Sequence, residues 1–318
     1  MIDRRGLLAA GVALGGVAVG AGPALARSRP AARAFDPRDL GGTWTNATYT
    51  DLQRPKELSR LVLSAAEAEA YEQPLRALNG MPAAKAGEVG QSESEFNDRG
   101  AGLLRVRGEI RASLITDPAD GQIPYLKAIR ARLELDRKPE DRTVFLDNPE
   151  DRPAFERCLV TSATTAPLIP GPDTNLYRFV QTREALAIVA EKFHDARIVR
   201  LGAPAEPHPL PSWLGASVGR WAGDTLVVET TGFGPGLVRR GLAVSAATRV
   251  TETFTRTGRA EILYGFTVED PSLYTRPWRG EMLFSSAPGE LYEYACHEGN
   301  YGLPDILLGA RRAEGRLK

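Results

Sequence analysis

Hydrophobic positions in the second half of the chain recur with a period of two. Ile262, Tyr264, Phe266 and Val268 alternate with Glu261, Gly265, Thr267 and Glu269, the pattern of a strand with one buried face. The same reading predicts short strands at 177–182, 185–193, 197–201, 220–222, 225–231, 249–256, 260–269, 278–285 and 291–296. Gly223-Asp224, Thr257-Gly258, Asp270-Pro271 and Pro288-Gly289 punctuate them with turn chemistry. Short strands joined by tight turns imply a mainly β fold, an antiparallel meander that closes as a barrel or sandwich with a few peripheral helices.

The first half is less regular. Residues 39–44 open a short strand. Ser64 and Glu67 then stand at capping-box spacing and start a helix that runs to about Leu78, where Asn79-Gly80 and Pro82 end it. Residues 83–100 are rich in Gly, Ser and Glu and read as a surface loop. Arg107–Thr116 is a strand candidate ended by the turn Asp117–Gly121, a charged helix is predicted at 126–135, and a short helix at 304–313. The expected organisation is an export signal at 1–26, an N-terminal segment at 27–100 and a barrel domain at 101–318. Residues 27–318 are expected to pack as one unit.

The export signal is read from Arg4-Arg5, an apolar stretch of Ala, Val and Gly from Leu7 to Gly22, and Ala24-Leu25-Ala26. Paired arginines before a mildly hydrophobic stretch favour the twin-arginine route to the periplasm. The stretch is short of the roughly 20 apolar residues of a membrane span, so no stable membrane insertion is expected. Removing residues 1–26 takes the 40 basic and 40 acidic residues to 38 and 39. A chain so near neutrality has no general attraction for nucleic acid or anionic lipid. Its two cysteines, Cys158 and Cys296, would enter an oxidising compartment, where a disulfide is the economical reading and two separate buried thiols the alternative.

Candidate chemistry is sparse. Gly215-Ala-Ser217-Val-Gly219 matches the Gly-x-Ser-x-Gly string of serine hydrolases, but Pro209, Pro211 and Trp213 precede it where that motif needs a buried strand, so turn glycines are the better reading. The three histidines lack the paired spacing of a zinc site, and no metal site is expected. His208 lies between prolines and reads as a loop residue. His194 and His297 are each followed by a carboxylate, Asp195 and Glu298, at predicted strand ends, where a histidine could move a proton. Asp98, Arg99, Arg197 and Arg276 could join them as a polar floor, with Trp221, Trp278, Tyr294 and Tyr301 as aromatic walls. The competing reading is a salt-bridge network, with Arg197 and Arg276 pairing Asp195 and Glu298, and aromatics that fill a core. No nucleotide, iron–sulfur or haem string appears, and no cofactor is expected.

Several strings stand together: Ser113–Pro124, Glu156–Leu159, His194–Ile198, Trp213–Thr230, Tyr274–Trp278 and Tyr292–Tyr301. Over about residues 95–312 they resemble a large family of exported bacterial proteins of unknown function. That resemblance puts Cys158 and Cys296 inside family motifs, which implies the disulfide, and it assigns no catalytic residue. Gly42-Thr43-Trp44 is similar to the first-strand Gly-x-Trp of lipocalin-type barrels. The functional expectation is a periplasmic small-molecule enzyme performing acid–base chemistry (lyase, isomerase, cyclase or hydrolase) in a barrel pocket, with a non-catalytic ligand carrier as the alternative.

Overall fold

The computed structural model describes residues 35–79, 98–135, 148–160, 164–173, 175–202, 210–234, 237–239 and 242–316. The expected export signal, most of the loop at 83–100 and His208 lie outside these. The first half carries β1 (Gly42–Thr45), β2 (Val62–Leu63), β3 (Arg105–Val106), β4 (Glu109–Arg111) and β5 (Ile115–Asp117), with helices α1 (Ala65–Asn79) and α2 (Lys127–Leu135). The second half carries β6 (Leu176–Gln181), β7 (Ala185–Ala190), β8 (Ala196–Leu201), β9 (Ala216–Ala222), β10 (Thr225–Thr231), β11 (Leu237–Arg239) and β12 (Leu242–Val244). It continues with β13 (Arg249–Gly258), β14 (Glu261–Glu269), β15 (Trp278–Ser286) and helix α3 (Gly302–Ala313).

Nine strands close into a barrel in the order β1-β6-β7-β8-β9-β10-β13-β14-β15, sealed where Trp44 of β1 lies opposite Ser286 of β15. The other end of β15 pairs β5, with Arg279 opposite Asp117. Closure removes the exposed sheet edges that an open meander would leave. One pairing departs from the expected antiparallel pattern. β8 and β9 run parallel, with Val199, Arg200 and Leu201 opposite Ser217, Val218 and Gly219. A parallel pair cannot be joined by a tight hairpin, which is why two adjacent strands of the meander depart from the pattern here.

Alternate residues of each strand point inward and fill the barrel. The rings of Tyr177, Phe179, Phe254, Tyr264, Phe266 and Phe284 pack with centroids 5.0 to 6.4 Å apart, in mostly edge-to-face contacts. Each such ring, taken fully from water, stabilises the fold by about 1.5–3 kcal/mol. Residues 164–170 are buried along their whole length. Their Leu168 amide donates to the Tyr264 hydroxyl at 2.9 Å, so this segment reaches the barrel interior.

The capping box of α1 is present: the Glu67 amide donates to Ser64 Oγ, and the Ser64 amide donates to the Glu67 carboxylate at 2.8 Å. A second apolar cluster of Tyr49, Leu63, Ala68, Leu103, Ile110 and Ala112 lies between this helix and the small sheet β2-β4-β3. Other boundaries move. The strand expected at 107–116 is two short strands, β4 and β5, and 291–296 is irregular. The strand expected at 185–193 stops at Ala190. Phe193 and His194 then turn the chain with φ of 62° and 52°, a left-handed conformation that non-glycine residues adopt at a cost of about 1–2 kcal/mol each.

Candidate functional site

The parallel seam is where the barrel wall parts. Pairing between β8 and β9 covers only Val199–Leu201, so the first half of β8 faces the loop 212–215 rather than a strand. A cleft of about 530 Å³ opens there, lined by Leu159, Asp195, Arg197, Ile198, Arg200 and Trp213 and floored by Leu214–Ser217. Two glycines shape it. Gly215 has φ of 69°, and a Cβ on it would lie 2.7 Å from the Thr231 carbonyl oxygen. A Cβ on Gly219 would lie 2.8 Å from Leu201 Cδ2 and 2.9 Å from Val199 Cγ1, so only glycine lets the parallel strands approach.

Beneath the cleft lies a buried polar network. Arg197 on β8 meets Glu252 on β13 at 2.5 and 2.8 Å, with side chains 1% and 0% exposed. The Tyr264 hydroxyl donates to the same carboxylate at 2.7 Å, Arg197 reaches Thr230 Oγ1 at 3.3 Å, and Thr230 Oγ1 shares a 2.8 Å hydrogen bond with Ser217 Oγ. Burial opposes the charge on Arg197, but the attraction of Glu252 outweighs it and leaves the guanidinium more basic than usual. Burial and the Glu252 charge push the Tyr264 hydroxyl well above the usual tyrosine range, so it stays a donor. The serine of the hydrolase-like string is thus a buried network member on a strand, 4% exposed, bonded to Thr230.

Asp195 stands at the cleft, half-buried, with Thr164 Oγ1 donating to its carboxylate at 2.8 Å. Burial raises its pKa above the usual aspartate range, against the opposing effect of the Thr164 hydrogen bond. It is positioned by the turn at Phe193-His194 and by Thr164 of the buried segment 164–170.

The remaining sequence candidates disperse. His194 is exposed, and its Nε2 accepts from the Tyr294 amide at 3.2 Å; His297 and Glu298 are exposed. Asp98 accepts from the Asn175 amide at 3.0 Å, and burial pushes its carboxyl up. Arg276, exposed, pairs with half-buried Asp117 at 2.5 Å, and Arg197 pairs with Glu252; the expected partners Glu298 and Asp195 are not theirs. Arg99 belongs to a separate cleft of about 410 Å³, with Tyr71 and residues 169–172.

The aromatics also divide. Trp278 is fully buried against Phe266 and Tyr274, a core side chain rather than a ligand wall. Trp221 is half-buried beneath Arg38, Tyr294 packs on Phe193 at 5.3 Å, and Tyr301 is 72% exposed. So the structure gathers only Asp195 and Arg197 of the candidate set at the seam cleft.

Cys158 and Cys296 form a disulfide across 138 residues. It ties the loop leading to Leu159 onto the C-terminal tail, where Asn300 Nδ2 also donates to the Glu156 carbonyl at 2.7 Å. Sequence reasoning missed Glu252, Thr164 and Arg200. Glu252 had a signal: it is an acidic residue in phase with Val250 and Phe254 on the buried face of an alternating strand. Among the described residues no group of three or more His, Cys, Asp or Glu could hold a metal ion, and no helix is long and apolar enough to cross a membrane.

The fold and cleft define a closed nine-stranded mixed β-barrel with an opening along its one parallel seam. No protein-family model, no curated protein and no solved structure matches the chain.

Proposed function

We propose that this is an exported periplasmic protein that binds a small, largely apolar organic molecule in the seam cleft. The observation that carries this reading is the cleft's lining, in which Leu159, Ile198, Trp213 and Leu214 stand beside Asp195, Arg197, Arg200, Ser212 and Ser217. A packed interior argues against the lipocalin-like arrangement, in which the ligand sits along the barrel axis. Export through a twin-arginine signal at residues 1–26 remains part of the proposal, and the disulfide is consistent with an oxidising compartment. Both walls of the cleft come from strings that carry the family resemblance, His194–Ile198 and Trp213–Thr230.

Asp195 favours a second reading, an acid–base enzyme of the lyase, isomerase, cyclase or hydrolase type without a redox cofactor. A half-buried carboxyl with a raised pKa, held in place by Thr164, has the character of a general acid. The His–carboxylate pairs do not supply that role, since His194 and His297 are exposed and His194 is bonded to backbone. A thermal-shift screen of the mature protein against aromatic, terpenoid and polyketide-like molecules separates the readings. Hits lost in Trp213→Ala place the ligand in the cleft. A hit consumed by wild type but only bound by Asp195→Asn makes the protein an enzyme, and hits indifferent to both substitutions would remove the cleft from the account.

A further inference from the structure

The outside of the barrel is not uniform. On β6, β7, β8 and β9 the residues that alternate with the buried ones point away from the interior, and each is Ala, Val, Leu or Ile except Arg178, Arg200 and Arg220. Val180, Ala187 and Ile198 stand directly opposite one another across β6, β7 and β8, with Val180 50% and Ile198 52% exposed. Arg178 lies in the row on one side of them, opposite Val189, and Arg200 in the row on the other side, opposite Ala185 and Val218. Among the described residues of these strands no carboxylate faces outward. The far wall differs: β13 turns Arg249, Thr251 and Thr253 outward, and β14 turns out Glu261, Thr267 and Glu269. The near-neutral total of the chain therefore conceals a local sorting, with apolar groups and guanidiniums on one wall and hydroxyl groups and both signs of charge on the other.

We infer that the wall formed by β6–β9 docks on an anionic phospholipid surface, with Val180, Ala187 and Ile198 at the boundary of headgroup and acyl chain and the guanidiniums of Arg178, Arg200 and Arg220 on lipid phosphates. An apolar row rimmed by cations matches a layer whose hydrocarbon lies beneath a negative surface, and the planar guanidinium fork suits phosphate. The dimensions favour lipid over a protein partner. Strands about 4.8 Å apart and about 20 Å long give β6–β9 about 400 Å², half of the roughly 800 Å² that each side of a stable protein complex buries. A bilayer sets no such minimum, because apolar contact and charge attraction add residue by residue. The contact is peripheral: no described helix is long and apolar enough to cross a membrane. Ile198 and Arg200 also line the seam cleft, so its mouth opens on the docked wall. Docking does not depend on what the cleft binds.

The test is co-sedimentation of the mature protein with vesicles of phosphatidylcholine alone and of phosphatidylcholine with about one-third phosphatidylglycerol. Binding to the anionic vesicles is expected to be at least about ten-fold tighter and to weaken as salt is raised. Val180→Ser with Ile198→Ser should abolish it, and Arg178→Gln or Arg220→Gln should each weaken it about five-fold. Arg249→Gln on the far wall should leave it unchanged. All of these variants should melt as the wild type does, because the substituted side chains point outside the barrel. Failure to bind anionic vesicles, equal binding to both kinds of vesicle, or equal weakening by Arg249→Gln and Arg220→Gln would overturn the docking. A lipid-free dimer in gel filtration that Val180→Ser with Ile198→Ser splits would assign the wall to a second copy of the chain and overturn it as well.

Discussion

Arg197 and Glu252 meet inside the barrel from strands that are not neighbours: β9 and β10 lie between their strands in the sheet, yet their charged groups are 2.5 and 2.8 Å apart. The pair places two charges in an aromatic interior, beneath the parallel seam where the wall opens. Desolvating two charges offsets much of their mutual attraction, so the pair is weak evidence for stability.

Glu252→Gln leaves Arg197 charged, buried and unpaired, and should destabilise the protein by about 3–5 kcal/mol in urea unfolding. The double replacement Arg197→Met with Glu252→Leu removes both charges and should change stability far less, or raise it by about 1–4 kcal/mol. If the double variant is as unstable as the single one, the network is a structural necessity rather than a tolerated polar inclusion.

Gly219→Ala forces a methyl group against Val199 and Leu201 at the parallel pairing. Overpacking of this kind costs about 1–3 kcal/mol, and here it should also displace β8 and reshape the cleft. A thermal melt and a ligand titration on the same variant check it; an unchanged melting temperature would mean that the seam is looser than its contacts indicate.

The pH dependence of stability should carry an Asp195 component. Its folded-state pKa is raised by burial, so its contribution is fully present below the unfolded-state pKa and is lost as pH rises through the folded-state value. Asp195→Asn removes the ionisation, so its stability relative to wild type should improve as pH rises from acid to neutral. Asp98 shifts in the same direction but is common to both proteins and cancels in the difference. Melting curves across that range would contradict this if the Asn variant lost ground on going to neutral pH.

Cys158→Ser with Cys296→Ser opens a loop of 138 residues' separation. Chain entropy alone puts the loss on the order of 5 kcal/mol. Guanidinium unfolding of the variant against the oxidised protein measures it. A loss below about 1 kcal/mol would mean that the tail's other contacts, such as Asn300 to the Glu156 carbonyl, already hold it.

The barrel was legible because its strands bury one face and alternate cleanly, as β14 does with Ile262, Tyr264, Phe266 and Val268. The start of α1 was legible because Ser64 and Glu67 form a local device, and hydrogen bonds from Ser64 and Arg60 lower the Glu67 carboxyl to about 2. The parallel seam was not, because pairing across a crossover is a long-range choice that neither β8 nor β9 encodes by itself. The site was half legible for the same reason. Asp195 and Arg197 announced themselves as charges beside a strand, but their partners Thr164 and Glu252 lie 31 and 55 residues away. His194 and His297 stand beside carboxylates in the sequence, but the fold puts both on turns with exposed side chains, His194 at the left-handed turn it forms with Phe193 and His297 in the turn 296–299.

The most direct measurement uses the four tryptophans, Trp44, Trp213, Trp221 and Trp278, as fluorine-labelled reporters read by NMR during titration with 2-naphthoate, a small, largely apolar aromatic probe. Trp213 lines the cleft, whereas Trp44 and Trp278 are buried in the barrel core. Binding in the seam cleft should move the Trp213 resonance at the lowest probe concentrations and leave Trp44 and Trp278 in place. Movement of Trp44 or Trp278 with Trp213 unchanged would put the ligand inside the barrel and contradict the seam as the binding site.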